Sequence, residues 1–185
     1  CEFYRPPGHK ESYVLSHEEM RLKIQETLDA GGTRILLQGG HNPELRIDWY
    51  VDLLRWIKGE FPTIELNAFS PSEIGNIADL EDMTIDEVLS ILQSAGMDGL
   101  PGGGGEILDD EIRHKVSPKK QKTAEWIACM RSAHALGMLT SATQVIGFGE
   151  TWRHRFNYQL RRAPRAGRRA HLPLRQHRGT RARNR

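Results

Sequence analysis

Glycines and possible ligand side chains are concentrated in four short segments of this 185-residue chain. The segments are Gln38-Gly39-Gly40-His41, Ser70-Pro71, residues 101–106 and residues 147–150. In each of them a glycine or a proline stands close to a side chain with a polar head. A ligand could therefore approach the backbone closely and meet a polar group. Two adjacent glycines are also what a plain turn requires, and for Gly39 and Gly40 both interpretations stay open.

The most specific pattern is Pro101 followed by four glycines and Glu106. Ordering four glycines is entropically unfavourable, so such a loop indicates a functional requirement. No Gly-Lys-Ser/Thr sequence follows, which excludes a P-loop, and Glu106 favours an amine or a hydroxyl pair over a phosphate. Arg113 lies two helical turns further on, so the two side chains could hold a zwitterion such as an amino acid. A surface pair at a helix start fits the same spacing.

Cys1 opens the chain and is followed by two aromatic residues and a Pro-Gly turn. It could be the last ligand of a metal site whose other ligands precede residue 1, or a structural residue. Because there is no initiator methionine, we expect a processed chain or a fragment. The second cysteine, Cys129, falls in a predicted helix and is expected to be a small buried side chain. Two distant cysteines form no disulfide framework, which favours a reducing, cytoplasmic environment.

Alternating strands and helices are predicted to position the four segments. The expected helices cover residues 16–30, 43–58, 84–95 and 120–136, with a further helix starting at Ser70; the expected strands cover 34–38, 63–69, 98–101 and 140–146. This alternation predicts an α/β fold, either a βα barrel or an open doubly wound sheet. In a βα barrel the loops that follow the strands share one rim, so the segments would lie together there.

The charge is divided sharply along the chain. Residues 1–150 carry 14 basic and 24 acidic side chains, whereas residues 151–185 carry 12 arginines and no acid. The tail has almost no hydrophobic periodicity, so we expect disorder over residues 153–185. It could be a nucleic-acid arm, but arginine without lysine is more typical of an out-of-frame translation of GC-rich DNA. We therefore expect no nucleic-acid partner, and no apolar run approaches the ~18 residues of a membrane span.

Residues 1–152 resemble the radical S-adenosylmethionine (SAM) enzymes. The matching stretches, in order, are Cys1 with residues 3–9, Tyr13 to Ser16, Gln38-Gly39-Gly40 with Pro43, residues 68–71, residues 100–104, residues 106–108, residues 117–120, Glu125-Trp126 and residues 147–151. The resemblance is greatest to the branch that cyclises a nucleoside-derived substrate, dehypoxanthine futalosine, in the futalosine route to menaquinone.

The resemblance implies a partial radical SAM barrel of the TIM type. It also implies a 4Fe-4S cluster held by a CxxxCxxC motif, of which Cys1 would be the third cysteine, and a SAM molecule on the open iron. An external one-electron reductant would start the cleavage of SAM to a deoxyadenosyl radical. The residues expected to meet SAM are Phe3, Gly39, Gly40, Glu106, Arg113, Gly147 and Glu150, with Ser70 facing the barrel centre.

Four positions depart from the pattern of that family. Asn67 stands where a histidine is expected, Gly99 replaces a serine, Gly105 an alanine and Gln144 a methionine. As given, the chain is expected to be inactive, because two cluster ligands and several strands are missing. The alternatives are a sibling such as aminofutalosine synthase or the deazaflavin synthase subunit, a nucleic-acid-binding protein acting through the tail, and a cluster-free βα-barrel lyase or isomerase. DNA binding that is steeply salt-dependent and lost on removal of residues 153–185 would identify the second.

Overall fold

The computed structural model describes residues 5–162. Four strands form one parallel sheet in the order β1-β2-β3-β4. In chain order the elements are α1 (His17–Asp29), β1 (Arg34–Leu37), α2 (Ile47–Glu60), β2 (Glu65–Ala68), α3 (Pro71–Glu81), α4 (Ile85–Ser94), β3 (Gly99–Leu100), α5 (Asp110–Val116), α6 (Thr123–Ala135), β4 (Leu139–Thr140) and α7 (Trp152–Arg162). Parallel strands in sequential order, linked by helices, are consecutive units of a βα barrel, so the structure is the partial barrel expected.

The hydrophobic core lies between the sheet and the helices that cover one of its faces. Alternate residues of β2 point into it, and Leu66 and Ala68 have no exposed surface. The other face of the sheet is open, since Leu36 on β1 is 66% exposed and Leu139 on β4 is 64% exposed. Side chains that alternate along a strand thus either join the core or face the concave side.

Polar caps begin several of the helices where the sequence predicts. Ser16 and Thr84 form capping boxes with Glu19 and Glu87, which satisfy amides at the helix N-terminus. The helix predicted from Pro43 begins four residues later, at Ile47, because residues 42–44 form a turn and the Ile47 amide donates to Oε1 of Glu81 over 2.8 Å.

The predicted strand over residues 140–146 is shorter than expected. Only Leu139 and Thr140 pair with β3, and the chain then turns towards the glycine loop, where the Val145 amide donates to the carbonyl oxygen of Glu106 over 3.0 Å. Helix α5 was not expected from the sequence, because its seven residues are too few for a clear helical periodicity.

Helix α7 occupies the first part of the Arg-rich tail. The sequence predicts disorder from residue 153, but residues 152–162 are helical because Tyr158, which is 1% exposed, packs into the fold and donates to the carbonyl oxygen of Thr143 over 2.6 Å. Arg161 also donates to the carbonyl oxygen of Leu108. The remainder of the predicted disordered tail lies outside the described residues. None of the helices within residues 5–162 is long and apolar enough to cross a bilayer.

Candidate functional site

The turn after β1 is closed by a carboxylate that comes from α3. Glu73 Oε1 accepts hydrogen bonds from the amides of Gly39 at 2.9 Å and Gly40 at 3.0 Å, while its Oε2 accepts one from Ser70 Oγ at 2.6 Å. Glu73 is only 5% exposed. The only sequence signal at Glu73 is its spacing from Ser70, which is that of a helix cap. Its contact with a turn 33 residues away follows only from the fold.

The glycine loop after β3 lies against the ends of β1 and β2. A Cβ on Gly103 would come within 3.1 Å of Gln38 Nε2 and 3.3 Å of Ser70 Cβ. Gly105 packs on the Trp126 ring, where a Cβ would lie 2.6 Å from Cζ2, and the Trp126 indole donates to the carbonyl oxygen of Gly103. These glycines therefore allow close packing of the loop between the strand ends and α6.

Glu106 is paired with a lysine in the loop that precedes α6. Its Oε1 accepts from the Gly104 amide at 3.0 Å and its Oε2 lies 2.6 Å from Lys120 Nζ. Burial raises the pKa of Glu106, but the bond to Lys120, the Lys120 charge and backbone amides outweigh it and leave the pKa below its ordinary value. Glu106 is thus a carboxylate at neutral pH, in contact with a cation.

Arg113 is 2% exposed and donates to backbone carbonyl oxygens. Nη1 donates to Gly104 and Ile107, each at 2.8 Å, and Nε donates to Gln121 at 2.9 Å. Nη2 also donates to Gln121. The guanidinium therefore ties the glycine loop to the segment that carries Lys120. The expectation that Arg113 meets a ligand directly stays a prediction.

Residues 147–150 form a loop closed by its own carboxylate. Glu150 accepts from the amides of Gly147 and Phe148 and pairs with Arg155 at 2.7 Å, and its side chain is 1% exposed. Backbone amides, first its own and then those of Gly147 and Phe148, together with the Arg155 guanidinium, lower the pKa of Glu150 to about 2, against the opposing effect of burial.

Three of the four predicted segments meet at the carboxyl ends of the strands, and the chain that leads to the fourth bonds to one of them. Gly103 packs against Gln38 at the end of β1 and Ser70 at the end of β2. The hydrogen bond from Val145 to Glu106 holds the chain that precedes residues 147–150 beside the glycine loop. His41 Nε2 lies 2.9 Å from Ser72 Oγ at the same edge. At this edge the glutamates and the backbone carbonyl oxygens only accept hydrogen bonds, which suits a ligand that carries ammonium and hydroxyl groups.

Asn67 faces the concave side of the sheet, next to one of the other departures from the family pattern. It pairs in register with Gly99, and a Cβ on Gly99 would lie 2.1 Å from Asn67 Oδ1 and 2.8 Å from the Leu139 carbonyl oxygen. Asn67 also lines an open cavity of about 210 Å³ with Arg34 and Ser141. The glycine thus makes room for the asparagine.

The described residues do not fit a 4Fe-4S cluster. Among residues 5–162 no three side chains of the metal-binding types come together. Cys129 has no exposed surface, and burial raises the pKa of its thiol to about 12, so it is not available as a thiolate ligand. Cys1 and Phe3, predicted to meet the cluster and SAM, lie outside the described residues.

Comparison with known proteins gives one family. The model of the radical SAM superfamily matches residues 1–157. The chain is 53% identical over 155 residues to the cyclic dehypoxanthine futalosine synthase of Halalkalibacterium halodurans, covering 84% of this chain and 42% of that protein.

The chain is also similar to a second group of enzymes, which are named as transferases. The 5-amino-6-(D-ribitylamino)uracil–L-tyrosine 4-hydroxyphenyl transferases of Archaeoglobus fulgidus and of a Nostoc species are each 38% identical to the chain. In both cases 82% of this chain is covered, together with 44% and 40% of those proteins respectively.

The chain thus spans less than half the length of the curated relatives it matches. The family model nevertheless covers most of the chain, and its matched range includes all four strand-end segments. The chain belongs to the radical SAM superfamily.

Proposed function

We propose that this chain supplies the SAM-binding side of an enzyme that cyclises dehypoxanthine futalosine, a step towards menaquinone. The observation that carries the proposal is the 53% identity to a cyclic dehypoxanthine futalosine synthase, against 38% to the transferases, over nearly the same part of the chain. The motifs that carry the resemblance include the strand-end segments, so the similarity reaches the residues that would contact the ligand.

The strand-end residues suit the polar part of SAM. Gly39 and Gly40 would meet the methionine part, and Ser70 would face the barrel centre. Glu106 would accept hydrogen bonds from SAM polar groups, and the loop from Gly147 to Glu150 would line the adenosine side. A Cβ on Gly39, Gly40 or Gly147 would touch nothing within 4 Å, so a ligand can reach these backbones. Together with a cluster and an external electron donor, SAM held by these residues would supply the radical chemistry of the reaction.

The chain's own residues bind and orient the ligand. Lys120 Nζ forms an ion pair with Glu106 Oε2. The ammonium group of a ligand that binds to this oxygen would therefore compete with Lys120. Arg113 acts one step away, because its bonds to Gly104 and Gln121 hold together the two segments that carry Glu106 and Lys120. Cys1 would be one ligand of the cluster, and the described residues contribute none of the others.

A chimera tests the proposal directly. Residues 1–151 replace the matching segment of the Halalkalibacterium synthase, and the chimera is reconstituted anaerobically with iron and sulfide. We expect absorbance at about 400 nm from the cluster, SAM cleavage to 5'-deoxyadenosine, and the cyclic product from dehypoxanthine futalosine by mass spectrometry. The isolated 185-residue chain is expected to cleave no SAM.

Two controls make the result specific. The parent synthase shows that reconstitution works, and a Glu106→Gln chimera is expected to form the cluster but to bind SAM more weakly, because it lacks the charge that an ammonium group meets. A chimera that gains its cluster yet never cyclises the substrate would refute the proposal.

The second candidate is the sibling reaction of the deazaflavin (FO) synthase type, to which the 38% identical transferases correspond. Its specific support is the length of the similarity, since the 38% identity extends over 152 residues and 82% of this chain. Product formation from 5-amino-6-(D-ribitylamino)uracil and tyrosine, without cyclisation of the futalosine substrate, would establish this candidate instead.

A further inference from the structure

We propose that Glu73 is a positioning residue that fixes the turn of Gly39 and Gly40 and sets its polarity, so that this end of the cleft takes a cationic group and rejects an anionic one. The inference deepens the proposed function and rests on it for one point, namely that the turn faces the amino-acid part of SAM. The family pattern led us to expect the glycines there; the carboxylate comes from the structure alone.

The contacts of Glu73 use both of its carboxylate oxygens. Oε1 accepts from the two glycine amides and Oε2 accepts from Ser70 Oγ. Because Glu73 is only 5% exposed, water does not easily replace these hydrogen bonds. A buried carboxylate held by three donors has one stable position, and it imposes that position on the turn.

The backbone conformation next to Ser70 determines where the Glu73 carboxylate lies. Phe69 has a φ of 63°, in the left-handed region that costs a non-glycine residue energy, and it is 4% exposed and packs edge-on against Tyr50. Its amide donates to the Leu37 carbonyl oxygen over 2.8 Å. This sharp bend at the end of β2 starts α3 beside the end of β1, which brings Glu73 under the glycine turn.

The carboxylate occupies what would otherwise be an anion site. Two successive glycine amides that point at one oxygen form a concave donor pair, and the N-terminus of the 11-residue helix α3 lies beside them. Both features attract phosphate or carboxylate groups. With Glu73 in place, the turn has only its carbonyl oxygens left for a ligand, and these accept hydrogen bonds from an ammonium group.

Glu73 differs from the other two glutamates that close strand-end loops. Glu106 is paired with Lys120 and Glu150 with Arg155, so their charges are balanced locally. The ion pairs found among residues 5–162 do not include Glu73. Its negative charge therefore remains at the turn and favours a cation there.

Hydrogen exchange of the free chain tests the positioning role without cluster or SAM. We expect the Gly39 and Gly40 amides to be protected in the wild-type chain. Exchange should be about tenfold faster in Glu73→Gln, because a neutral acceptor forms bonds roughly half as strong, and faster still in Glu73→Ala. Glu81→Gln is the matched control: it lies at the other end of α3, accepts from the Ile47 amide and pairs with Arg46, and should leave both glycines unchanged.

Inorganic phosphate tests the polarity. Millimolar phosphate should shift the Gly39 and Gly40 amide signals of Glu73→Ala and leave those of the wild type and of Glu81→Gln in place. If Glu73→Ala does not fold, Glu73→Gln is titrated instead, with a smaller shift expected. Wild-type amides that exchange at unprotected rates would overturn the proposal. Faster exchange in the variants without any phosphate shift would overturn the polarity and leave Glu73 a structural residue.

These outcomes are independent of the reaction. Failure of the chimera to cyclise its substrate would refute the proposed function and leave the exchange and phosphate results standing. Conversely, an active chimera with an unprotected glycine turn would refute only the role of Glu73.

Discussion

The guanidinium of Arg113 donates to the carbonyl oxygen of Gly104 over 2.8 Å, which ties helix α5 to the glycine loop. Further bonds from the same group reach the carbonyl oxygens of Ile107 and Gln121. One buried side chain therefore connects three stretches of backbone that have no regular ladder between them.

Arg113→Lys is expected to destabilise the chain by about 3 kcal/mol, because a lysine cannot reach all three carbonyl oxygens and leaves buried acceptors unsatisfied. Urea unfolding measures the loss. The control, Arg55→Lys, makes the same change at an exposed position on α2 and should shift the midpoint little. Equal unfolding midpoints for the two variants would show that the hydrogen bonds of Arg113 do not stabilise the fold.

Glu150 makes the loop of residues 147–150 sensitive to acid. Its folded pKa of about 2 lies below the ordinary value of 4.5, so the stabilisation that it contributes is complete above pH 4.5 and is lost as the pH falls through about 2. Between those values the free energy of unfolding should fall more steeply in the wild type than in Glu150→Gln, which cannot titrate. Parallel curves for the two proteins would show that the carboxylate has no such role; carboxyl NMR titration checks the pKa itself.

Gly99→Ser restores the residue that the family pattern predicts but should destabilise this chain by about 1–3 kcal/mol through overpacking. The new Cβ would lie 2.1 Å from Asn67 Oδ1 and 2.8 Å from the Leu139 carbonyl oxygen. Adding Asn67→Ala should recover part of the loss, since it removes the nearer contact and leaves the backbone one. A double-mutant cycle by thermal unfolding measures this coupling, and strictly additive effects would argue against it.

Cys129 should not react with thiol reagents in the folded chain. It has no exposed surface, and burial raises the pKa of its thiol to about 12, so the reactive thiolate is scarce at pH 8. In a Cys1→Ser variant, where Cys129 is the sole cysteine, Ellman's reagent is expected to detect no thiol before denaturation and one after it. Rapid labelling of the native variant would show that Cys129 becomes accessible through local unfolding of α6.

The order of strands and helices could be predicted from residue patterns because those patterns are local. A short apolar run bounded by glycines predicted β1, and the pairs Ser16 with Glu19 and Thr84 with Glu87 are cap patterns that begin α1 and α4 as expected. The starts and ends that were missed depend on distant contacts. Helix α2 begins at Ile47 because Glu81 accepts from its amide, and α7 forms in an Arg-rich segment because Tyr158 is buried.

The sequence by itself determined the α/β class and the position of the polar segments at strand ends, since both depend on residue types at short spacing, and the resemblance of its motifs to known proteins indicated the family. Only the tertiary structure decided which groups meet: Glu73 with the turn of Gly39 and Gly40, and Glu106 with Lys120 rather than with Arg113. The reason is physical. Buried donors and acceptors must be satisfied by whichever partner the packed strands and helices bring within about 3 Å, and separation along the chain does not reveal that partner.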